Sequence, residues 1–352
     1  MLKVCLVVIA RDAQRTIGRL LASVSPWVQS MVVMDTGSTD STLQIAKAHG
    51  AHVHTQAWQD DFSLARNAAL SQASADWHLV LDADEWLIEG GEFLRQLAGT
   101  SPDFVGQVQI EDDCDAGDLG RTTATSWLSR LLPGNLRYEG RVHEQPVHKL
   151  PIIRTPLRIG HDGYLAAALA AKRGRNRRLL EAALRQHPGD AYLMYQLGKD
   201  ANVYQEHALA DQWFSCAWPR SRTVEPWRLD LIVRWIGALK HLGRHQEAHS
   251  LAVRHGAEFD HSPDFHFALG DLMLHWTGTA SHRAESLLFA AEEAWRRCLI
   301  IGERPDQQGA VLGRGSRLAA FNLALVLEGT GRVNEATELR RRFGLSPGRL
   351  LP

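Results

Sequence analysis

The sequence predicts an α/β domain followed by an all-α domain, because its pattern changes near residue 165. Over the first 110 residues, short β-branched runs alternate with stretches of helical period, which is typical of a largely parallel sheet. Beyond residue 165 those runs stop, and long amphipathic stretches occupy the rest of the chain. A length of 352 residues suits two domains, which we place at residues 1–164 and 165–352.

The first domain is predicted to hold strands joined by helices. The strands are expected at Val4–Ala10, Met31–Asp35, around Val53 and at Trp77–Leu81. Apolar residues recur at helical spacing over Ile17–Val24 and from Phe62 to about Ala75, and Ser38–Asp40 offers N-cap residues for a helix between them. Asp35 and Asp82 each follow a strand, at the sheet edge where ligands bind in parallel α/β folds.

The second domain has a period of about 34 residues, which is the tetratricopeptide spacing. Its copies are expected around Leu197–Ala217, Gly243–Ala248, Leu269–Cys298 and Leu323–Ala336. Small residues in them, such as Gly198 and Gly270, let paired helices approach, and aromatic residues such as Phe214 and Trp295 fill the space between pairs. The pattern predicts stacked helical hairpins.

Composition excludes several classes of protein. Lys and Arg total 39 against 40 Asp and Glu, so a general nucleic-acid binder is not expected. No apolar run approaches the roughly 20 residues of a membrane span, and no secretory signal pattern opens the chain. The 4 cysteines are scattered, which favours a reducing cytoplasm over a disulfide framework.

Charge is unevenly distributed between the two predicted domains. Residues 1–164 have a net charge of -6 and residues 165–352 a net charge of +5. Either the two domains complement one another, or the second presents a basic surface to an acidic acceptor.

The strongest local motif is Leu81–Glu85, in which Asp82 and Asp84 follow an apolar strand. Hard divalent cations prefer oxygen ligands and share their shells with water and phosphates. An Asp-x-Asp pair at a strand end therefore predicts Mg²⁺ or Mn²⁺ held against a diphosphate.

This motif stands in a series of segments that resembles glycosyltransferase family 2. The segments are Val32–Asp40, Trp58–Asn67, Asp76–Glu85, Arg130–Pro133 and Tyr138–Gln145. His161–Tyr164 with Arg175 and Asn176 resembles the junction to a tetratricopeptide tail in a bacterial subgroup that includes enzymes glycosylating antimicrobial peptides on cysteine. The resemblance implies a Rossmann-like GT-A domain that binds a nucleotide sugar.

The resemblance also implies roles in donor binding. Asp35 would accept a hydrogen bond from the uracil or ribose of a UDP-sugar, Asp82 would contact the ribose, and Arg66 would steady the diphosphate. Asp40 is either a nucleotide contact or a helix N-cap. Arg11 is a further donor-site candidate, although its loop, Arg11–Gln14, departs from the Lys-Asn-Glu-Glu usual in the family.

For the metal, the family pattern implies Asp84 as a direct ligand, Asp82 as a ligand or a contact of the water shell, and His143 as a second ligand. Two of the residues to which the family pattern gives a role have structural alternatives. Arg66, assigned to the diphosphate, could instead pair with Asp60 or Asp61. His143 could be a structural histidine.

Family 2 enzymes invert the anomeric centre by in-line displacement, which requires a base to deprotonate the acceptor. Glu144, next to His143, is one candidate. Asp113 is the other, within the acidic cluster Glu111–Asp115 that follows an apolar run. A solvated acidic loop is the alternative explanation of that cluster.

Together these features predict a metal-dependent, inverting glycosyltransferase that uses a UDP-sugar. The helical domain favours a peptide or protein acceptor, although the same domain could serve to form a homodimer. The alternatives are a transferase for lipopolysaccharide core or another glycan, an inactive transferase acting as a scaffold, and a nucleotidyltransferase. The last is disfavoured because no glycine-rich, basic loop follows the first strand.

Overall fold

The computed structural model describes residues 2–115, 121–161 and 174–346, without the side chains of residues 114 and 115. The chain forms two compact units, Met1–Asp113 with Ser126–Gln186 and Cys114–Thr125 with His187–Pro352. The helix Arg175–Gln186 thus belongs to the first unit. The boundary expected between residues 164 and 165 stays a prediction.

A mixed sheet forms the centre of the first unit. Its strands are β1 (Val4–Ala10), β2 (Ser30–Asp35), β3 (His52–Thr55), β4 (Trp77–Asp82), β5 (Glu85–Glu89), β6 (Val105–Asp115), β7 (Arg121–Pro133) and β10 (Ile152–His161), with β8 (Tyr138–Glu139) and β9 (Gln145–Pro146) as a separate pair. The order across the sheet is β3-β2-β1-β4-β7-β6-β10-β5. Strands β1 to β4 pair in parallel, whereas β7 joins β4 in the antiparallel sense.

Helices cover both faces of this sheet. They are α1 (Ile17–Val24), α2 (Thr42–Ala48) and α4 (Gly91–Gln96) on one face and α3 (Phe62–Gln72) on the other. The same unit also contains α5 (Arg175–Gln186). Successive residues of β1 enter different apolar clusters, Leu6 and Val8 on one face and Cys5 and Val7 on the other. A strand buried on both faces must be apolar throughout, which explains the unbroken run in the sequence.

The register of the central strands brings two predicted site residues together. Asp35 is opposite Ala10, and Asp82 is opposite the preceding residue, Ile9. The two aspartates therefore flank the carboxyl end of β1, at the edge where the sequence placed a ligand site.

The second unit contains four helical hairpins among its described residues. They are α6 (Ala191–Val203) with α7 (His207–Ala217), α8 (Arg228–His241) with α9 (His245–Phe259), α10 (Pro263–Thr277) with α11 (Ala284–Ile301), and α12 (Arg317–Gly329) with α13 (Val333–Phe343). Each hairpin matches one predicted repeat. A Cβ at Gly198 would lie 2.5 Å from the Phe214 ring, and one at Gly270 would lie 2.6 Å from Trp295. The small residues thus permit the close helix packing that the sequence predicted.

One strand lies where only helices were expected. Residues Ala310–Val311 form β11, which pairs antiparallel with Thr125 and Ala124 of β7. Two residues are too few for a period to show in the sequence. None of the described helices combines the length and apolar character needed to cross a membrane.

Candidate active site

Asp35 ends β2 with a carboxylate that is almost wholly buried. Its Oδ2 accepts hydrogen bonds from the backbone N–H groups of Gly37 and Ser38, at 3.0 and 3.1 Å. Its Oδ1 is buried and has no hydrogen-bond partner among the described residues. A buried acceptor without a partner is costly, so this oxygen is suited to receive a donor group from a ligand.

The loop after β1 is fastened to the loop after β2. Asp12 Oδ1 accepts from the Thr39 N–H at 2.8 Å, and the Gln14 N–H donates to Asp40 Oδ2 at 3.1 Å. Asp40 also accepts from the backbone and hydroxyl of Thr42. Asp12 and Gln14, which depart from the family pattern, therefore hold the two loops together by hydrogen bonds. Asp40 accepts one of these bonds and so has a structural role. Arg11 beside them is half exposed.

Beneath the Asp-x-Asp turn, two buried arginines join three carboxylates. Arg66 Nη2 donates to Asp82 Oδ1 at 2.6 Å, and Arg66 Nε donates to Glu144. Arg130 Nη2 donates to Asp82 Oδ2 at 2.7 Å and to Glu85 Oε1 at 3.1 Å. Arg66 thus pairs with Asp82 and Glu144, and not with the neighbouring aspartates considered from the sequence.

The same arginines set the ionisation of this cluster. Burial opposes charge on Asp82, but Arg130 and Arg66 outweigh it and hold the pKa of Asp82 far below its usual range. At Glu85, burial and the adjacent charge of Asp82 outweigh Arg130 and raise the pKa to about 7. Asp82 is therefore ionised throughout the physiological range.

Asp84 faces a histidine of strand β10, which pairs with β5 directly after the turn. His161, the last residue of β10, lies with its Nε2 3.4 Å from Asp84 Oδ2. Its Nδ1 lies 2.5 Å from Asp112 Oδ1 of β6. Burial of the imidazole opposes its charge, yet the bonds to Asp112 and Asp84 raise the pKa of His161 to about 11.

The chain Asp84–His161–Asp112 has the donor set of a metal site. A histidine that ligates a metal usually donates a hydrogen bond from its other ring nitrogen to a carboxylate, and Asp112 occupies that position here. Two neighbouring ligands of an octahedral cation lie about 3 Å apart, close to the separation of Asp84 and His161. Among the described residues no three His, Cys, Asp or Glu side chains are arranged to hold a metal alone. Water and a ligand's phosphate would have to complete the shell, as they commonly do for Mg²⁺.

The two remaining candidates, His143 and Asp113, are both exposed. His143 is exposed, with a φ of 52° in the left-handed region, in the loop between β8 and β9. Asp113 is also exposed, one residue after Asp112. Their roles stay predictions.

Sequence reasoning gave no role to His161, Arg130 or Glu85. Their signals were present, because His161 and Arg130 each begin a quoted family segment and Glu85 completes the Asp-x-Asp motif. Their roles depend on strands that are far apart in sequence, β4, β7 and β10. The periodicity of a sequence predicts where strands lie but not which strands become neighbours in the sheet.

The β8–β9 hairpin, which carries Glu144, is held in place by helix α3. The Asn67 side chain donates to the Tyr138 carbonyl at 2.9 Å and accepts from the Tyr138 N–H at 2.8 Å. The Phe62 N–H donates to the carbonyl of Arg141 at 2.9 Å. Helix α3 thus fixes the β8–β9 segment and supplies Arg66 to the same site.

Residues 5–143, which contain most of these side chains, match the family model for Glycosyl transferase family 2. The N-terminal domain is a family 2 glycosyltransferase domain. Its mixed sheet has the GT-A fold that the resemblance implied, and helices follow it. Both parts of the predicted fold class are confirmed.

Two relatives match more than half of the chain. A TPR repeat-containing protein of Synechococcus elongatus is 35% identical over 252 residues, 66% of this chain and 60% of the relative. Glycosyltransferase SunS of Bacillus subtilis is 28% identical over 212 residues, 56% of this chain and 49% of SunS. The chain thus spans between about half and 60% of the length of these relatives.

Among solved structures, glucosyl-3-phosphoglycerate synthase of Mycobacterium tuberculosis, in complex with Mn²⁺, UDP and glucosyl-3-phosphoglycerate, is 25% identical. The match covers 32% of this chain and 43% of that chain, with a TM-score of 0.26.

Proposed function

We propose that this protein transfers a sugar from a UDP-sugar to an acceptor, with inversion and with the help of Mn²⁺ or Mg²⁺. The observation that carries the proposal is the series of contacts from Asp84 to His161 and from His161 to Asp112. It lies at the carboxyl end of the sheet of a family 2 domain. When bound, the cation would take up negative charge on the departing diphosphate. Asp84 and His161 would hold it, with the cation displacing the Nε2 proton of His161, because a metal-ligating histidine is neutral; Asp112 would orient the imidazole.

The donor is proposed to lie between β2 and α3. The buried Oδ1 of Asp35 suits an N–H or O–H of the uracil or ribose, since it is without a partner among the described residues. Arg66 Nη1 is likewise buried without a partner there, and a guanidinium donor suits the diphosphate. These atoms support the donor-site roles that the family pattern implies for Asp35 and Arg66.

The base is proposed to be Asp113 or Glu144. Glu144 is 7% exposed and pairs with Arg66, so its negative charge is already engaged by a cation. Asp113 is exposed at the same sheet edge as Asp112. Comparison of Asp113→Asn with Glu144→Gln separates them, because loss of the base lowers turnover while UDP binding persists.

The first test is metal-dependent donor hydrolysis. We expect purified protein to release UDP from at least one UDP-sugar with Mn²⁺ or Mg²⁺, and to lose that activity in excess EDTA. A matched sample restored with Mn²⁺ after EDTA controls for damage. Binding of UDP without release of product from any UDP-sugar would support the scaffold alternative instead.

A polypeptide acceptor is the proposal for the second substrate. The relative SunS is a glycosyltransferase, and the resemblance noted above is to enzymes that modify peptides. The basic excess beyond residue 164 lies wholly in residues 165–186, since residues 187–352 have no net charge. Lys172 and Arg173 of that stretch lie outside the described residues.

Two arginines of the stretch 165–186 contact the segment around the start of α3. Arg178 pairs with Asp60 at 3.3 Å, and the Arg175 guanidinium lies 5.4 Å from the centre of the Phe62 ring. Asp60 lies in the loop that leads into α3, and Phe62 is the first residue of α3, the helix that carries Arg66. The stretch therefore adjoins the proposed donor site within one unit.

For the variant Arg175→Glu with Arg178→Glu, we expect transfer to an acidic polypeptide acceptor to fall about tenfold with donor hydrolysis unchanged, because only acceptor attraction is reversed. Wild-type transfer should also weaken with added salt. Arg220→Glu with Arg222→Glu, on the second unit, is the matched charge control. If both rates of the first variant equal wild type, the basic stretch does not dock the acceptor. The helical unit would then remain as the acceptor or dimer surface.

We also propose a cytoplasmic location. Cys5 and Cys298 are buried free thiols, and Cys216 is an exposed free thiol. Free thiols are typical of reducing compartments.

A further inference from the structure

Arg130 occupies a position that the donor and metal assignments leave unexplained. It lies on β7 and is 8% exposed. Its Nη2 bridges the two ends of the acidic turn, at 2.7 Å from Asp82 and 3.1 Å from Glu85. The Asp82 N–H also donates to Glu85 Oε2 at 2.8 Å, so the turn is closed on itself.

This arrangement occupies both oxygens of Asp82 with charged donors. Arg66 takes Oδ1 and Arg130 takes Oδ2. Charge-assisted hydrogen bonds of this kind are the strong ones, and they satisfy much of the negative charge that a cation would otherwise seek. Asp84 lies between the two fixed ends of the turn and meets His161 instead.

Fold stability alone does not explain such a cluster. Buried ion pairs can often be replaced by apolar residues without loss of folding stability, so a contribution to folding stability does not account for them. Arg130 Nε and Arg66 Nη1 are also buried without partners among the described residues, which a purely structural network would avoid.

We propose that Arg130 is a positioning residue that withholds Asp82 from the cation, so that Asp84 is the carboxylate of the turn that binds it. The proposal rests on the proposed metal-dependent transfer. Asp84 as the metal ligand is what the family resemblance already implies; the new element is that Arg130 holds Asp82 in support of the turn.

The test compares Arg130→Met and Arg130→Lys with wild type in two measurements, turnover and Mn²⁺ binding followed by the loss of the free-ion electron paramagnetic resonance signal. In Arg130→Met, we expect kcat to fall about 100-fold, while Mn²⁺ affinity stays equal or rises, because a carboxylate is released and a positive charge removed. Arg130→Lys should recover about tenfold of the lost kcat, since an ammonium can pair with one carboxylate but lacks the guanidinium fork.

A second substitution identifies the released group. When Asp82→Asn is added to Arg130→Met, Mn²⁺ affinity should return to within about threefold of wild type, because the competing carboxylate is gone. Arg137→Met, on the exposed turn after β7, is the control and should behave as wild type.

Two results would overturn the proposal. One is a folded Arg130→Met protein with wild-type kcat. The other is an Mn²⁺ affinity that falls in parallel with kcat, which would mean that the cation needs Arg130 itself for an intact site. If Arg130→Met does not fold, the same two outcomes are judged on Arg130→Lys. Mn²⁺ binding needs no turnover, so failure of the transferase proposal and failure of this one are distinguishable.

Discussion

Replacement of Asp84 by Ala should abolish transfer and leave the fold intact. A metal supplies several kcal/mol of charge stabilisation, so loss of its ligand should lower turnover by about three orders of magnitude or more. The side chain is 27% exposed at the end of a strand, so its removal leaves no core cavity. The unfolding temperature without ligand should therefore match wild type.

Two measurements distinguish loss of the metal from general damage. Mn²⁺ with UDP should raise the unfolding temperature of wild type, because a ligand stabilises the state that binds it, and should not do so for Asp84→Ala. Asp103→Ala removes an exposed aspartate elsewhere in the same unit and should retain activity and the shift. Turnover at the wild-type rate in a folded Asp84→Ala protein would remove Asp84 from the metal site.

The sequence predicted the sheet edge well because local rules determine it. Apolar runs placed β1, β2 and β4, and in a parallel sheet their carboxyl ends lie at the same edge, which put Asp35 and Asp82 on either side of the end of β1. Small residues and aromatics predicted the four helical hairpins for a similar reason, since each hairpin packs mainly on its neighbours.

The interior of the site was less predictable because it depends on pairing across the sheet. The register of β10 with β6 aligns His161 with Asp112, although 49 residues separate them. Arg130 meets Asp82 because β7 joins β4, across a separation of 48 residues. The sequence assigned no role to His161 or Arg130, and only the strand register shows that both oxygens of Asp82 are engaged.

A chain that ends at Gly315 should fail to form a soluble helical unit. It lacks α12 and α13, which bury a set of apolar residues in the same cluster as Trp295 and Cys298: Ala319, Leu323, Ala324, Val326, Leu327 and Ala336. Burying one Leu or Val stabilises by about 1.5–3 kcal/mol, so the three largest of these together contribute roughly 5–9 kcal/mol. That is comparable with the whole stability of a typical domain, about 5–15 kcal/mol.

The matched control is a chain that ends at Ser346, which retains every described helix. It should be soluble and unfold cooperatively, whereas the chain ending at Gly315 should aggregate or bind a hydrophobic dye through the uncovered face of α11. Ion pairs to α11, such as that of Arg332, the residue before α13, with Glu292 at 2.8 Å, add to what the shorter chain loses. Because each hairpin of such an array relies on the next, the loss should extend beyond the deleted helices. A soluble shorter chain with a cooperative transition would instead show that the last hairpin is an independent appendage.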